Sequence, residues 1–221
     1  MSLLKVENLG KSFGGVKAVD GINFELKAGE LLALIGPNGA GKSTTFNMVN
    51  GQLKADRGSI TLAGTELVGL QPRDIWRLGV GRTFQIAATF SSLTVVENVQ
   101  MALLSQDRKL FSLWSSAAKH RRSDALDLLD MVGMASQADR PCSVLAYGDV
   151  KRVELAIAMA NSPKLLLMDE PTAGMAPKER NELMALTKKL VTERGVAVLF
   201  TEHSMDVVFA YADRMVVLAR G

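Results

Sequence analysis

The sequence predicts an α/β fold built around a parallel sheet, and two patterns carry that prediction. Four short apolar runs have the length of strands, at residues 31–35, 165–168, 196–200 and 215–218. Continuous apolar strands of this kind are typical of parallel sheets that are covered on both faces. Between two of them, the stretch 179–193 carries leucines on one helical stripe and follows Pro177, a residue favoured in the first helical turn. This alternation of strand and helix indicates a doubly wound core.

The amino-terminal segment is predicted to be strand-like. Apolar and polar residues alternate there, as at Ile22, Phe24 and Leu26, and a period of two is typical of a half-buried strand. A turn at 27–30 then leads into the first apolar run. We therefore expect β structure ahead of the parallel sheet.

The middle of the chain, from about residue 86 to residue 160, lacks buried-strand runs and is rich in helix signals. Thr94 and Glu97 have the spacing of a capping box, in which two side chains satisfy backbone donors at a helix start. Apolar residues from 125 to 132 fall on one helical face, and Gly133 stands where that helix would end. We predict a helical lobe.

Composition and charge exclude several classes of protein. A length of 221 residues allows either one large domain with two lobes or two small domains. The net charge of +3 is well below the basic excess of a dedicated nucleic-acid binder. The single cysteine excludes an internal disulfide and fits a reducing compartment. Because no signal peptide is predicted and no apolar run approaches the roughly 20 residues of a membrane span, we expect a cytoplasmic protein that reaches a membrane through a partner.

A phosphate-binding loop is predicted at residues 36–43. Its residues, GPNGAGKS, fit GxxxxGK[ST] and lie between a predicted strand and a segment able to form a helix. Glycines let such a loop curl until its N–H groups point at phosphate oxygens. Lys42 would bridge the β- and γ-phosphates, and Ser43 would offer its hydroxyl to Mg²⁺. The predicted nucleotide-binding residues are Gly36, Pro37, Asn38, Gly39, Ala40, Gly41, Lys42, Ser43 and Thr44.

Two adjacent carboxylates follow the strand predicted at 165–168. Asp169 and Glu170 lie where that strand reaches the carboxyl edge of the sheet, the edge at which ligands bind in open α/β folds. We predict that Asp169 faces the metal, and that Glu170 orients the attacking water or accepts its proton. The alternative is that the pair caps the next helix, and the neighbouring phosphate loop favours the catalytic role.

These motifs, and the order in which they follow one another, resemble those of the ABC ATPase family over nearly the whole chain. Five further matching elements lie at Phe13, Gln85, 145–149, 171–176 and His203. The resemblance implies a P-loop NTPase with a parallel-sheet core, N-terminal antiparallel β elements and an inserted helical subdomain. It implies a single domain, 1–221, divided into a nucleotide-binding core, 1–85 and 161–221, and the helical subdomain, 86–160.

The resemblance also implies roles for single residues. Phe13 is similar to the aromatic residue that stacks on adenine, and Gln85 to the glutamine that touches Mg²⁺ and the attacking water. His203, which follows the strand predicted at 196–200, is similar to the switch histidine that contacts the γ-phosphate. The implied catalytic residues are Lys42, Gln85, Glu170 and His203, and the implied metal-side residues are Ser43, Gln85 and Asp169.

The segment 145–149, LAYGD, occupies the place of the family's signature motif, LSGGQ. In the family, the helix that follows binds the γ-phosphate held by the opposite subunit, so that two ATP molecules lie between two subunits. Ala146 lacks the serine hydroxyl and Tyr147 replaces a glycine, so we expect backbone N–H groups around Gly148 and the helix dipole to bind the phosphate. The helix itself is expected at 150–161. The segment 171–176 resembles the family's D-loop, with Ala176 in place of the usual aspartate or asparagine.

Three strings, at 79–85, 145–148 and 171–175, look most like those of the ATP-binding subunits of importers for branched-chain amino acids and related amides. The resemblance implies an ATPase that uses ATP and Mg²⁺ on the cytoplasmic face of the membrane. Its implied partners are transmembrane permease subunits, a second ATPase subunit that is either an identical copy or a paralogue and, indirectly, a substrate-binding protein, with no nucleic acid. Relatives usually continue with a strand and a helix after 215–218, so an uncovered sheet edge or helix face is also expected.

Other functions stay open at this point. A soluble ABC protein acting on nucleic acid or ribosomes would usually carry two ATPase modules or long coiled-coil inserts, and the sequence shows neither. A P-loop GTPase would need a guanine-reading Asn-Lys-x-Asp, which is missing. An ABC ATPase of another transporter, such as a urea or amide importer or a lipid exporter, is a further alternative. The altered segment 145–149 leaves open a protein that binds nucleotide without hydrolysing it.

Overall fold

The structure is a computed structural model that describes residues 2–83, 89–106 and 121–219. Its strands are β1 (Ser2–Phe13), β2 (Val16–Lys27), β3 (Leu31–Ile35), β4 (Arg57–Leu62), β5 (Thr65–Glu66), β6 (Val80–Thr83), β7 (Leu165–Asp169), β8 (Ala197–Thr201) and β9 (Arg214–Val217). Its helices are α1 (Lys42–Val49), α2 (Pro72–Arg77), α3 (Val95–Gln106), α4 (Arg122–Met131), α5 (Tyr147–Met159), α6 (Pro177–Arg194) and α7 (Met205–Tyr211). Within these ranges, none of the helices combines the length and the apolar content that a membrane span requires.

The strands form two sheets. One is antiparallel, with the order β2-β1-β4-β5, and the other is parallel, with the order β6-β7-β8-β3-β9. In β2 the predicted alternation is present, because Ile22, Phe24 and Leu26 are buried while their neighbours along the strand are more exposed. The predicted parallel core and the N-terminal antiparallel elements are therefore confirmed.

The parallel sheet is covered on both faces. Along β3, Leu31, Ala33 and Ile35 belong to one buried cluster, which extends into α3, α4, α5 and α6. The alternate residues, Leu32 and Leu34, belong to a second cluster shared with α1 and the antiparallel sheet. Because successive side chains of a strand point to opposite faces, β3 contributes to both cores at once. This double cover explains why its sequence is continuously apolar.

One predicted strand differs from the expectation. The apolar run 215–218 predicts a strand covered on both faces, but the corresponding strand β9 has Met215 40% exposed and Val217 66% exposed. Among the described strands, β9 pairs only with β3, so it forms one edge of the parallel sheet, in agreement with the uncovered edge expected above. Apolar composition alone does not distinguish an edge strand from a central one.

The helix predictions agree with the structure to within a few residues. Thr94 and Glu97 form the predicted capping box ahead of α3: the backbone N–H of Thr94 donates to Glu97 Oε2 at 2.8 Å, and that of Glu97 to Thr94 Oγ1 at 3.3 Å. The helix predicted at 179–193 is α6, which ends before Gly195 in the left-handed conformation. The helix predicted at 150–161 is α5, which starts three residues earlier, since Ala146 is already extended and its carbonyl accepts from Val150 N.

Two valines test this account of burial. Val198 in β8 is 1% exposed, and Val217 in β9 is 66% exposed. We expect Val198→Ala to lower the free energy of unfolding by about 2–3 kcal/mol, because it deletes two buried methyl groups and leaves a cavity. The matched change Val217→Ala should cost less than about 0.5 kcal/mol. Urea denaturation measures both, and equal losses would contradict the assignment of β9 as an exposed edge.

Candidate functional site

The loop between β3 and α1 is shaped by its glycines. Gly36 has φ 153°, and a Cβ there would lie 2.2 Å from the carbonyl oxygen of Leu218. Gly41 has φ 96°, and its Cβ would lie 2.4 Å from the carbonyl oxygen of Ala18. Both positions therefore exclude any side chain, for reasons of conformation and of space. The path of the loop depends on these two glycines.

Lys42 is the first residue of α1 and is largely buried. Its Nζ donates to the carbonyl oxygens of Gly36, at 2.6 Å, and Pro37, at 3.1 Å. The side chain thus folds back over the loop that precedes it. A cation held over a glycine-rich loop at a helix start suits the binding of a phosphate group.

A cavity of about 290 Å³ opens beside this loop. The described residues that line it are Phe13, Ala18, Asn38, Gly39, Ala40, Gly41, Lys42, Ser43, Thr44 and Glu170. Phe13 is 48% exposed at the end of β1, with Lys11 Nζ 5.6 Å from its ring centre. The structure therefore brings Phe13, the loop and Glu170, which are far apart in sequence, around one cavity.

Asp169 lies at the carboxyl end of β7 and has a partner on each oxygen. Its Oδ1 accepts from the Thr201 hydroxyl at 2.7 Å, and its Oδ2 is 3.8 Å from Arg82 Nη2. Arg82, in turn, donates through Nη1 to Asn47 Oδ1 at 3.1 Å and to Gln52 Oε1 at 2.9 Å. Burial lowers the pKa of Arg82, while the Asp169 carboxylate opposes that shift. Side chains from β6 and β8 thus fix the carboxylate of β7.

Glu170 has an unusual backbone. Its φ is 47°, in the left-handed region that residues other than glycine rarely adopt. Its backbone N–H donates to Thr201 Oγ1 at 3.0 Å, so one hydroxyl binds both Asp169 and Glu170. The Glu170 carboxylate lies 2.9 Å from His203 Nε2. Strained backbone of this kind is found where a side chain must be aimed for function.

The segment 145–149 lies outside the cavity, because none of its residues is among those that line it. Ala146 is extended and Gly148 sits in the first turn of α5, where a Cβ would lie 3.2 Å from the Glu179 carboxylate. Tyr147 is 45% exposed, and Lys151 Nζ is 5.5 Å from its ring centre. Within one chain, Ala146 and Gly148 are therefore not brought to the phosphate loop.

Gln85, predicted on the metal and water side, lies outside the described residues. Three residues that the sequence did not single out lie close to the carboxylate pair: Arg82 and Thr201 contact Asp169, and Glu202 directly follows Thr201. Each stands at the carboxyl end of a parallel strand, or just after it, as Asp169 and Glu170 do. That position was the signal that could have identified them.

A glycine-rich loop between a parallel strand and a helix, with a carboxylate pair at the carboxyl end of another strand of the same sheet, is typical of a P-loop nucleotide-binding protein. The family profile described as "ABC transporter" matches residues 19–173. The chain belongs to this family of ABC ATPases, which bind and hydrolyse ATP in reactions coupled to transport.

Relatives and solved structures agree with this assignment. LivG of Salmonella typhimurium strain LT2, a high-affinity branched-chain amino acid transport ATP-binding protein, is 42% identical over 226 residues, covering 99% of this chain and 89% of LivG. A structure of the ADP conformation of an ABC transporter ATP-binding cassette is similar with TM-score 0.88 and 31% identity, covering 99% and 87% of the two chains. The dimeric structure of a bacterial ABC transporter cassette is similar with TM-score 0.82 and 29% identity, covering 99% and 95%.

Two glycines test whether the loop's close packing matters for binding. We expect Gly41→Ala to weaken ATP binding by about 5-fold to 150-fold, because the crowded Cβ displaces the loop at a cost of about 1–3 kcal/mol. Gly64 is the matched control, since it has φ 84° and a Cβ added there would have nothing within 4 Å of it. Gly64→Ala should therefore leave the dissociation constant of a fluorescent ATP analogue unchanged. Equal affinities of the two variants would contradict the role of Gly41.

Proposed function

We propose that this chain is the ATP-binding subunit of an importer for branched-chain amino acids or related amino acids and amides. The observation that carries the choice of cargo is the 42% identity to LivG, which extends over 99% of the chain. The cargo would pass through separate membrane subunits, so this chain would supply the energy and would not select the substrate.

The proposed ATP site is the cavity beside the loop 36–44. The loop's N–H groups, together with the start of α1, would bind the β- and γ-phosphates. Lys42 would exchange its two carbonyl partners for phosphate oxygens, which are stronger acceptors because they are charged. Phe13, half exposed at the cavity's rim, would stack on the adenine ring.

Ser43 and Asp169 are the residues proposed to hold Mg²⁺, together with Gln85 outside the described ranges. A hydroxyl and a carboxylate oxygen fit this metal, which prefers oxygen ligands and is usually bound through one or two protein groups plus phosphates. In the described part of the chain, no group of three or more His, Cys, Asp or Glu could form an all-protein cage. Bound there, Mg²⁺ would neutralise charge on the β- and γ-phosphates.

Glu170 is the proposed base, or water-orienting group, for hydrolysis. It lines the cavity, and its carboxylate can accept a hydrogen bond from a water placed in line with the γ-phosphate. His203 Nε2, at 2.9 Å, holds that carboxylate and would contact the γ-phosphate from the end of β8. The order of strands in the sheet supports this pairing, since β7 and β8 are neighbours.

A second copy of the ATPase subunit is the proposed partner in the site. The cavity within one chain lacks the segment 145–149, and a similar cassette forms a dimer. Ala146 and Gly148 of one subunit would then face the γ-phosphate held by the other. The two ATPase subunits would lie on the cytoplasmic face of the membrane. There, their closing and parting would drive the transmembrane permease subunits, with a substrate-binding protein as an indirect partner.

The proposal also divides the chain into two parts. These are a nucleotide-binding core, 1–85 and 161–221, and a helical subdomain, 86–160.

Lys42 provides the test of the catalytic site. We expect Lys42→Ala to lower kcat/KM for ATP by about 100-fold or more, since the loop loses the only cation that lines the cavity among the described residues. Lys189→Ala is the control, because this lysine is 63% exposed on α6, away from the cavity. Phosphate release measures both rates. Turnover of Lys42→Ala equal to that of the control would overturn the assignment of the phosphate site.

A further inference from the structure

A buried carboxylate outside the cavity connects the two loops that carry Glu170 and His203. Glu202 directly follows β8, is 5% exposed, and is not among the residues lining the ATP cavity. A buried carboxylate is costly unless donors surround it. Glu202 is therefore held in this position by specific partners.

Those partners lie on two different loops. Glu202 Oε1 accepts from the backbone N–H of Thr172, at 3.0 Å, and from the Thr172 hydroxyl, at 2.5 Å. Its Oε2 accepts from the backbone N–H groups of His203, at 3.1 Å, and Ser204, at 3.4 Å. Each oxygen thus binds one loop: residues 170–176, which follow β7, and residues 202–204, which follow β8.

A second side chain joins the same two loops. Arg180 Nε donates to the carbonyl oxygen of Met175 at 3.0 Å, and its Nη1 donates to the Ser204 hydroxyl at 2.8 Å. Thr172 is itself buried, at 2% exposure, two residues after Glu170. Two side chains, Glu202 and Arg180, therefore connect the loops. Of the two connections, the one through Glu202 lies nearer in sequence to Glu170 and His203.

We propose that Glu202 is a positioning residue for hydrolysis, which fixes the His203 imidazole against the Glu170 carboxylate by tying the backbone of His203 to Thr172. This inference rests on the proposed roles of Glu170 and His203. Because Glu202 binds both Thr172 and the backbone of His203, the Glu170–His203 contact depends on the position of the loop 170–176.

Replacement by glutamine separates this role from simple packing, because the shape of the side chain is kept. A glutamine amide has one acceptor oxygen and one NH₂ donor. If its oxygen faces Thr172, the NH₂ group faces the N–H groups of His203 and Ser204. If it is turned round, the NH₂ group faces the N–H of Thr172. In either orientation one of the two loops loses its acceptor.

Turnover and nucleotide binding should respond differently. We expect Glu202→Gln to lower kcat by about 10-fold to 100-fold, through displacement of His203 relative to Glu170. The KM for ATP should change by less than about threefold, because Glu202 does not line the nucleotide cavity. Glu193→Gln is the matched control for the change of charge, since Glu193 is 57% exposed near the end of α6.

The chain offers a direct readout of the His203 position. It contains two histidines, His120 and His203, so the Cε1–Hε1 region of a ¹H–¹³C spectrum has one signal for each ring, and His203→Ala identifies which signal belongs to His203. In nucleotide-free protein at one fixed pH, Glu202→Gln should shift the His203 signal and leave the His120 signal in place. Glu193→Gln should move neither.

Thr172→Val replaces with a methyl group the hydroxyl that donates to Glu202 Oε1, and it keeps the backbone N–H that donates to the same oxygen. It should shift the His203 signal in the same direction by a smaller amount, and the double variant with Glu202→Gln should be less than additive. Should Glu202→Gln fail to fold, Thr172→Val decides alone. An unmoved His203 signal, or a shifted signal with unchanged kcat, overturns the proposal. Wild-type kcat in His203→Ala would instead refute the proposed role of His203, so the two failures are distinguishable.

Discussion

Parallel pairing between β3, β7 and β8 is the constraint on which the site depends. Because the three strands run the same way, their carboxyl ends meet at one edge of the sheet, and the phosphate loop, the carboxylate pair and His203 all follow from those ends. Thr201 is central to this arrangement. It pairs with Leu34 on one side and Asp169 on the other, and its buried hydroxyl donates to the Asp169 carboxylate and accepts from the N–H of Glu170. The register of the sheet therefore sets the geometry of the site.

The same edge concentrates features that cost stability. Glu170 has a left-handed backbone, a conformation that costs about 1–3 kcal/mol outside glycine, and Arg82 and Glu202 are charged groups in largely buried positions. Each is offset locally. The Thr201 hydroxyl accepts a hydrogen bond from the Glu170 N–H. Arg82 is surrounded by the Asp169 carboxylate and two side-chain oxygens. Four donors surround the Glu202 carboxylate. The doubly covered sheet beneath supplies the rigid support that such an arrangement needs.

The fold and much of the site could be predicted because both depend on local patterns. Apolar runs identified the central strands, and the spacing of the glycines and Lys42 identified the loop. Which side chains would contact one another across different strands and loops could not be predicted. The pairing of Glu202 with Thr172, or of Arg82 with Asp169, depends on which strands become neighbours, and no local pattern in the sequence specifies that. The exposure of β9 likewise reflects its edge position in the sheet order, which its apolar composition does not specify.

We propose above that one chain contains half of a working site, with the phosphate loop in one copy and the segment 145–149 supplied by another. Sedimentation velocity of the Glu170→Gln protein tests it most directly, because this variant should bind Mg-ATP without hydrolysing it. We expect a monomer without nucleotide and a dimer when Mg-ATP is added. A protein that stays monomeric at high concentration with saturating Mg-ATP would contradict it.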